Sequence, residues 1–244
     1  MKDKLNLAIC ISGGGSTMLA ILRACKDGRL PRVNPRLVIA SKFGIGGIQK
    51  AADNGFDFGD ICLVERKTFG SPELFGEAIL EECDSRRMDT IFQCGFLPRM
   101  PANVVEKYSG WMFNQHPGPL DGSRFGFGGK GMHGKAVHHA VLHFARMVGR
   151  PFRTEATVHR VANDVDGGAI IGVRPLELLD TDDAETLATR LLPEEHGLVI
   201  ETLLHLSEFG GVRDICRSEP LIRDGEEDLL AEAKHAAIEA YPNG

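Results

Sequence analysis

No two cysteines in this 244-residue sequence share a C-x-x-C spacing, no apolar run approaches membrane-spanning length, and no surplus of positive charge exists. Each absence excludes a class of protein. The six cysteines (Cys10, Cys25, Cys62, Cys83, Cys94 and Cys216) are scattered, and several stand in apolar segments such as residues 8–11 and 91–94. That usage predicts reduced core thiols rather than a disulfide framework or a cysteine metal site. The first apolar run, Leu5–Ile11, is too short for a signal-peptide core with its cleavage site, or for a span, which predicts a cytoplasmic protein with no membrane partner. A formal net charge of −6 removes the global electrostatic footprint of a nucleic-acid binder. Internal repeats are also lacking. What is present is ordinary for a globular protein: 43% hydrophobic and 25% charged residues, in a chain long enough to bury a sizeable core.

Short apolar runs alternate with helical patterns through the first half. Residues 5–11, 37–40, 61–64, 90–94 and 111–113 read as strands, and 17–24, 48–54, 72–83 and 102–108 as helices. Pro72 suits the first helical turn, with Ser71 as the cap before it. Alternation at this spacing predicts an α/β protein with a Rossmann-like, mostly parallel sheet flanked by helices. In the second half, residues 135–147 read as a helix. Residues 155–161 and 169–178 read as an antiparallel strand pair around a turn at 163–168. Residues 184–206 read as a long helix in which Pro193 demands a break or kink. The division expected is a main domain over residues 1–209 and a tail, 210–244, with one amphipathic helix that packs on the rest or stays partly loose.

Two segments carry the chemistry. Trp111-Met112-Phe113 reads as a buried strand, so Asn114 and His116 alternate out of its C-terminal end. Some fifty residues later a β-branched strand runs into an Asp-Gly turn that presents Asp166. An amide, an imidazole and a carboxylate together suit transfer of a one-carbon acyl group between amines. The His shuttles the proton, the Asn holds the developing oxyanion, and the Asp keeps the His charged and oriented. Alone, a His at a strand end is more often structural. Upstream, Ser12-Gly13-Gly14-Gly15-Ser16-Thr17 joins the first strand to the first helix. It reads either as a phosphate cradle or as a tight turn with Ser16 as N-cap; it is not a Walker loop, since no Lys follows the last Gly.

The Asn-x-His-Pro element at 114–117 and the Asp-Gly-Gly element at 166–168, in this order and spacing, resemble the folate-dependent formyltransferases over residues 5 to about 206. The resemblance implies the formyltransferase fold, a catalytic domain ending near residue 209, and 10-formyltetrahydrofolate as co-substrate, with no metal. It places Asn114, His116 and Asp166 on the family's catalytic trio and His159 on a further active-site His. Gly13, Gly14, Gly15, Ser16 and Thr17 fall on the loop that holds a ribonucleotide phosphate, although the family usually has Asn where Gly14 and Thr17 stand. Phe96, Leu97, Pro98, Arg99 and Met100, with Val161 and Asp164, fall on the pterin pocket; relatives usually carry Arg one position before Arg99. Glu195 falls on a Glu that contacts the acceptor, with a solvated helix face as the alternative. Pro72 stands where relatives carry an Arg near the nucleotide.

Among the family's branches, the one that formylates the amine of glycinamide ribonucleotide in purine synthesis fits best. Methionyl-tRNA formyltransferases need a C-terminal tRNA domain, and the tail here is short and acidic; formyltetrahydrofolate hydrolases carry a regulatory domain before the core. An amino sugar nucleotide acceptor stays open, as do a homodimer and a non-enzymatic folate- or nucleotide-binding module. The expected partners are therefore a small ribonucleotide and a folate, not nucleic acid. The glycine-rich loop at 121–133 reads as a lid over the ribonucleotide or as an exposed insertion. His133, His138, His139 and His143 invite a metal reading, but no carboxylate stands among them at a ligand spacing.

Overall fold

The computed structural model describes residues 4–121 and 126–244, so the middle of the glycine-rich loop, residues 122–125, lies outside the described residues. The chain forms two compact units. The first comprises the chain up to Gln115 together with Val199–Val212. It is built on β1 (Leu5–Ile11), β2 (Val33–Ala40), β3 (Ile61–Leu63), β4 (Thr90–Gln93) and β5 (Met112–His116), in the order β3-β2-β1-β4-β5, all parallel. The helices α1 (Ser16–Lys26), α2 (Gly46–Asp53), α3 (Pro72–Ser85) and α4 (Ala102–Lys107) are the crossovers. Residues 7–11 of β1 are all buried, as expected for a strand covered on both faces by such crossovers. Pro35 is accommodated in β2 because it precedes the pairing with β3, which begins at Val38, and lies beside a register shift at Leu7/Ala8.

Ser71 caps α3 as expected, its side chain accepting the Leu74 N–H at 3.2 Å. Two local expectations are corrected. Ser16 is the first residue of α1 rather than its cap; the capping position is Gly15, at φ 65°. Trp111 precedes β5 and is exposed, whereas the strand continues through the polar Asn114, Gln115 and His116.

The second unit comprises His116–Leu198 and Arg213–Gly244. It holds α5 (Lys135–Met147), the antiparallel pair β6 (Arg153–Arg160) and β7 (Ile170–Glu177), most of α6 (Ala184–Phe209) and α7 (Glu227–Ala240). α6 begins with a reciprocal cap: Asp183 Oδ1 accepts the Thr186 N–H, and Thr186 Oγ1 accepts the Asp183 N–H, both at 2.8 Å. Of the break or kink expected at Pro193, the break does not occur: α6 continues through it, although the missing N–H removes one hydrogen bond from the ladder.

The tail is anchored by charge and by packing. Arg150 grips Glu226, at the start of α7, with two bonds of 2.7 Å, and Arg217 pairs with the buried Glu155 of β6. Bidentate, part-buried Arg–carboxylate pairs are the strong members of their class. Ala233 and Ala237 of α7 pack against Ala136, Ala140 and Phe144 of α5 in one buried cluster. Small side chains spaced by four residues let the two helices approach closely. Among the described residues no helix is long and apolar enough to cross a membrane. All six cysteines are free; Cys216 is exposed, which corrects its expected place in the core.

Candidate active site

β5 delivers His116 at its last residue, with Asn114 two residues earlier on the same face of the strand. Asn114 is half-buried and lies in register with Gln93 of β4. In the second unit, β6 ends at Arg160 with His159 as its penultimate residue. The chain then turns through Asp164–Gly167, where the Gly167 N–H donates to the Asp164 carbonyl at 3.1 Å. Asp166 takes φ 58° in this turn, a left-handed conformation that Asp tolerates better than most residues, at a cost of about 1 kcal/mol or more. Gly168 is obligatory: a Cβ there would lie 1.8 Å from the Arg160 carbonyl oxygen. The motif therefore combines strain at the functional carboxylate with a backbone contact that only glycine permits.

His116, His159 and Asp166 come together. Asp166 Oδ2 lies 3.7 Å from His116 Nδ1, and Asp166 Oδ1 lies 3.4 Å from His159 Nε2. The three side chains are 4%, 3% and 9% exposed, so bulk water does not compete for them. The outer nitrogen of each imidazole meets a backbone carbonyl: His116 Nε2–H donates to Phe127 at 3.1 Å and His159 Nδ1–H to Arg160 at 2.8 Å. A carbonyl only accepts, which assigns the proton of each neutral ring to its outer nitrogen. The nitrogens facing Asp166 then carry lone pairs until a ring becomes cationic. A proton added to either ring would therefore stand on the nitrogen that faces the Asp166 carboxylate.

Burial pushes the His116 pKa below the ordinary imidazole value, against the opposing pull of the Asp166 carboxylate. The expectation that Asp166 holds His116 charged is corrected accordingly: removal from water outweighs a carboxylate 3.7 Å away. Burial alone would raise the Asp166 pKa. The neighbouring His116 charge, the His159 hydrogen bond and the Gly129 N–H at 2.9 Å outweigh it and bring the carboxyl down to about 2. Both imidazole contributions require a cationic ring, so with the rings neutral the hold on Asp166 rests on the Gly129 N–H.

The other candidate residues lie as follows. Val161 is half-buried and Asp164 exposed in the turn leading to Asp166. Glu195 is buried on α6. In the first unit, Gly13, Gly14 and Ser16 are exposed while Thr17 is buried. The Ser12 hydroxyl ties this turn to the next loops, accepting the Leu97 N–H at 2.8 Å and meeting Ser41 Oγ at 2.6 Å. In the loop after β4, Leu97 and Arg99 are exposed and Pro98 is half-buried, while Phe96 and Met100 are buried. Lys50 Nζ donates to the Gly14 carbonyl at 2.7 Å, placing a cation beside the glycine turn. Nothing in the α2 sequence signals that placement, because it depends on how two loops lie together.

Of the four histidines read as a metal option, the His139 and His143 rings lie 6.1 Å apart. His138 is buried, His139 stacks near Tyr241, and His143 approaches Glu232. Among the described residues no group of three or more His, Cys, Asp or Glu side chains is disposed to hold a metal ion. His138 Nδ1 has no hydrogen-bond partner among the described residues. Burial, assisted by nearby His116, pushes its pKa down from 6.5 to about 4. A depressed folded-state pKa contributes stability above the unfolded value that is lost as pH falls through the folded one. The melting temperature is therefore expected to fall between pH 6.5 and about 4. His138→Gln should shrink that fall, by on the order of 5 °C. Superimposable melting-temperature curves for the two proteins would contradict this.

A mostly parallel α/β sheet thus presents, at a strand end, a buried carboxylate between two imidazoles. The chain belongs to the formyl transferase family, whose model matches residues 5–203. Its relatives include a chloroplastic phosphoribosylglycinamide formyltransferase of Vigna unguiculata, 31% identical over 83% of this chain. The chain spans 61% of that relative's length. Among solved structures, the phosphoribosylglycinamide formyltransferase of Brucella melitensis is 29% identical with a TM-score of 0.69, covering 88% of this chain and 100% of the other. The corresponding enzyme of Bacillus halodurans is 25% identical with a TM-score of 0.71, covering 84% and 96%.

Proposed function

We propose that the chain transfers a formyl group from 10-formyltetrahydrofolate to the amine of glycinamide ribonucleotide, a step of purine synthesis. The observation that carries this reading is the Asp166 carboxylate facing His116 and His159, with the outer nitrogen of each ring committed to a carbonyl. The relatives named above supply the acceptor. Free cysteines fit a reducing cytoplasm.

The substrate amine nitrogen attacks the formyl carbon, and the carbonyl electrons move onto oxygen. Asn114 donates to that oxyanion. The nitrogen, now cationic, gives its proton to His116 Nδ1, and the imidazolium so formed is compensated by Asp166. The same proton passes to the folate N10 as its bond to carbon breaks, leaving the formamide and tetrahydrofolate. A neutral resting His116 suits this order, since the ring begins as a base. Gly13, Gly14, Gly15, Ser16 and Thr17 would hold the ribonucleotide phosphate at the N-terminal end of α1, with Lys50 adding charge. Phe96–Met100, with Val161 and Asp164, would receive the pterin, and Glu195 the glycinamide end.

The test offers glycinamide ribonucleotide, an amino sugar nucleotide, initiator methionyl-tRNA and water in parallel, with 10-formyltetrahydrofolate as donor. Formylglycinamide ribonucleotide is expected as the main product. Free formate, formylmethionyl-tRNA or a formylated sugar as the main product would overturn the acceptor assignment.

A further inference from the structure

The carboxylate cluster touches a backbone segment as well as side chains. Residues 126–129 pass Asp166 so closely that a Cβ on Gly128 would lie 2.7 Å from Asp166 Cβ and 2.6 Å from Leu120 Cδ2. This segment makes two of the bonds that define the site. The Phe127 carbonyl accepts from His116 Nε2 at 3.1 Å, and the Gly129 N–H donates to Asp166 Oδ2 at 2.9 Å. A run containing three glycines in four residues has no intrinsic preference for that path, so something else must hold it.

What holds it comes from α7. Lys234 Nζ donates to the Gly128 carbonyl at 2.6 Å and to the Gly126 carbonyl at 3.3 Å. Phe127, between those carbonyls, is fully buried in the cluster that joins α5 to α7, with Ala233 next to Lys234 in sequence and Ala237 one turn on. The segment is therefore held by an apolar anchor and a cation, both dependent on α7. Lys234 is only partly buried, which leaves its stem along the cluster and its ammonium at the carbonyls. The family match ends at residue 203, so this helix lies outside it.

We infer that α7 completes the active site, and that Lys234 is a positioning residue: by holding the 126–129 backbone it aims the Phe127 carbonyl at His116 and the Gly129 N–H at Asp166. The consequence for catalysis rests on the formyl-transfer reading; the consequence for the loop does not. Lys234→Met keeps the stem and removes the donor. It should lower kcat by roughly 10- to 100-fold, the range for a small misplacement of reacting groups, while KM for folate and ribonucleotide stays within about twofold. The Gly129 amide should exchange its hydrogen at least about tenfold faster, as its bond to Asp166 loosens. Lys234→Arg, which can still donate to both carbonyls, should restore both readouts in large part. Should Lys234→Met not fold, Lys234→Leu, which likewise lacks a donor, carries the same measurements.

Unchanged Gly129 exchange and unchanged kcat in the donor-deleted variant would overturn the inference. So would a loss shared equally by kcat and both KM values that Arg does not rescue, since that pattern reports a merely structural lysine. A wild-type protein without formyl transfer would count against the proposed activity alone, because Gly129 exchange still reads the hold of Lys234 on the loop.

Discussion

Asp166→Asn is expected to reduce formyl transfer by roughly 10²–10⁴-fold, the usual contribution of a positioned acid–base group, while the protein stays folded. The amide preserves volume and keeps an oxygen able to accept the Gly129 N–H. It cannot compensate an imidazolium on either side, and His116 and His159 both face it. The proton leaving the amine would then pass to a buried ring with no counter-charge, which burial already disfavours. Stability should shift in a way that marks the charge specifically. The Asp166 carboxyl, held at about 2 against an ordinary 3.8, contributes stability above pH 3.8 that is lost as pH falls towards 2. The Asn variant should lack that acid-side loss. A variant retaining wild-type turnover would remove Asp166 from the reaction.

Asn114→Ala should lower kcat by roughly 10²–10³-fold, the cost typical of deleting one oxyanion donor, with folate affinity little changed. Asn114 is placed for this by strand alternation alone: it shares the face of β5 that ends in His116. An interaction made only as the carbonyl oxygen becomes negative appears in kcat and not in ground-state binding. A structural Asn would instead lower the melting temperature and weaken binding and turnover together. Measuring kcat, folate Kd and melting temperature on this one variant separates the two; near-normal kcat would take Asn114 out of the mechanism.

The elements that sequence predicted best are those whose pattern is local. Leu5–Ile11 and Lys135–Met147 were legible to the residue, because a continuous apolar run and a strong helical face need no tertiary information. The Ser71 cap and the Asp-Gly turn were legible because their chemistry lies within four residues. Failures occurred where distant groups decide. β5 runs on through the polar Asn114, Gln115 and His116, which an apolar-run criterion leaves out of the strand. The motif shows the attractive partner of His116, Asp166, but not the depth of burial that lowers the ring's pKa. Lys234 carries no signal at all: it is one lysine on an amphipathic tail helix, and only the fold brings it to the Gly126 and Gly128 carbonyls.

In the proposed reaction a resting, neutral His116 waits beside Asp166 to take the amine's proton. Histidine-selective NMR on the wild-type protein, titrated from about pH 5 to 8 with the His116 signal assigned by its Gln variant, tests this most directly. The ring is expected to be protonated on Nε2 at pH 7, with a midpoint below the ordinary 6.5. A midpoint at or above that value would make His116 an acid at rest and contradict the proposed order of proton transfer.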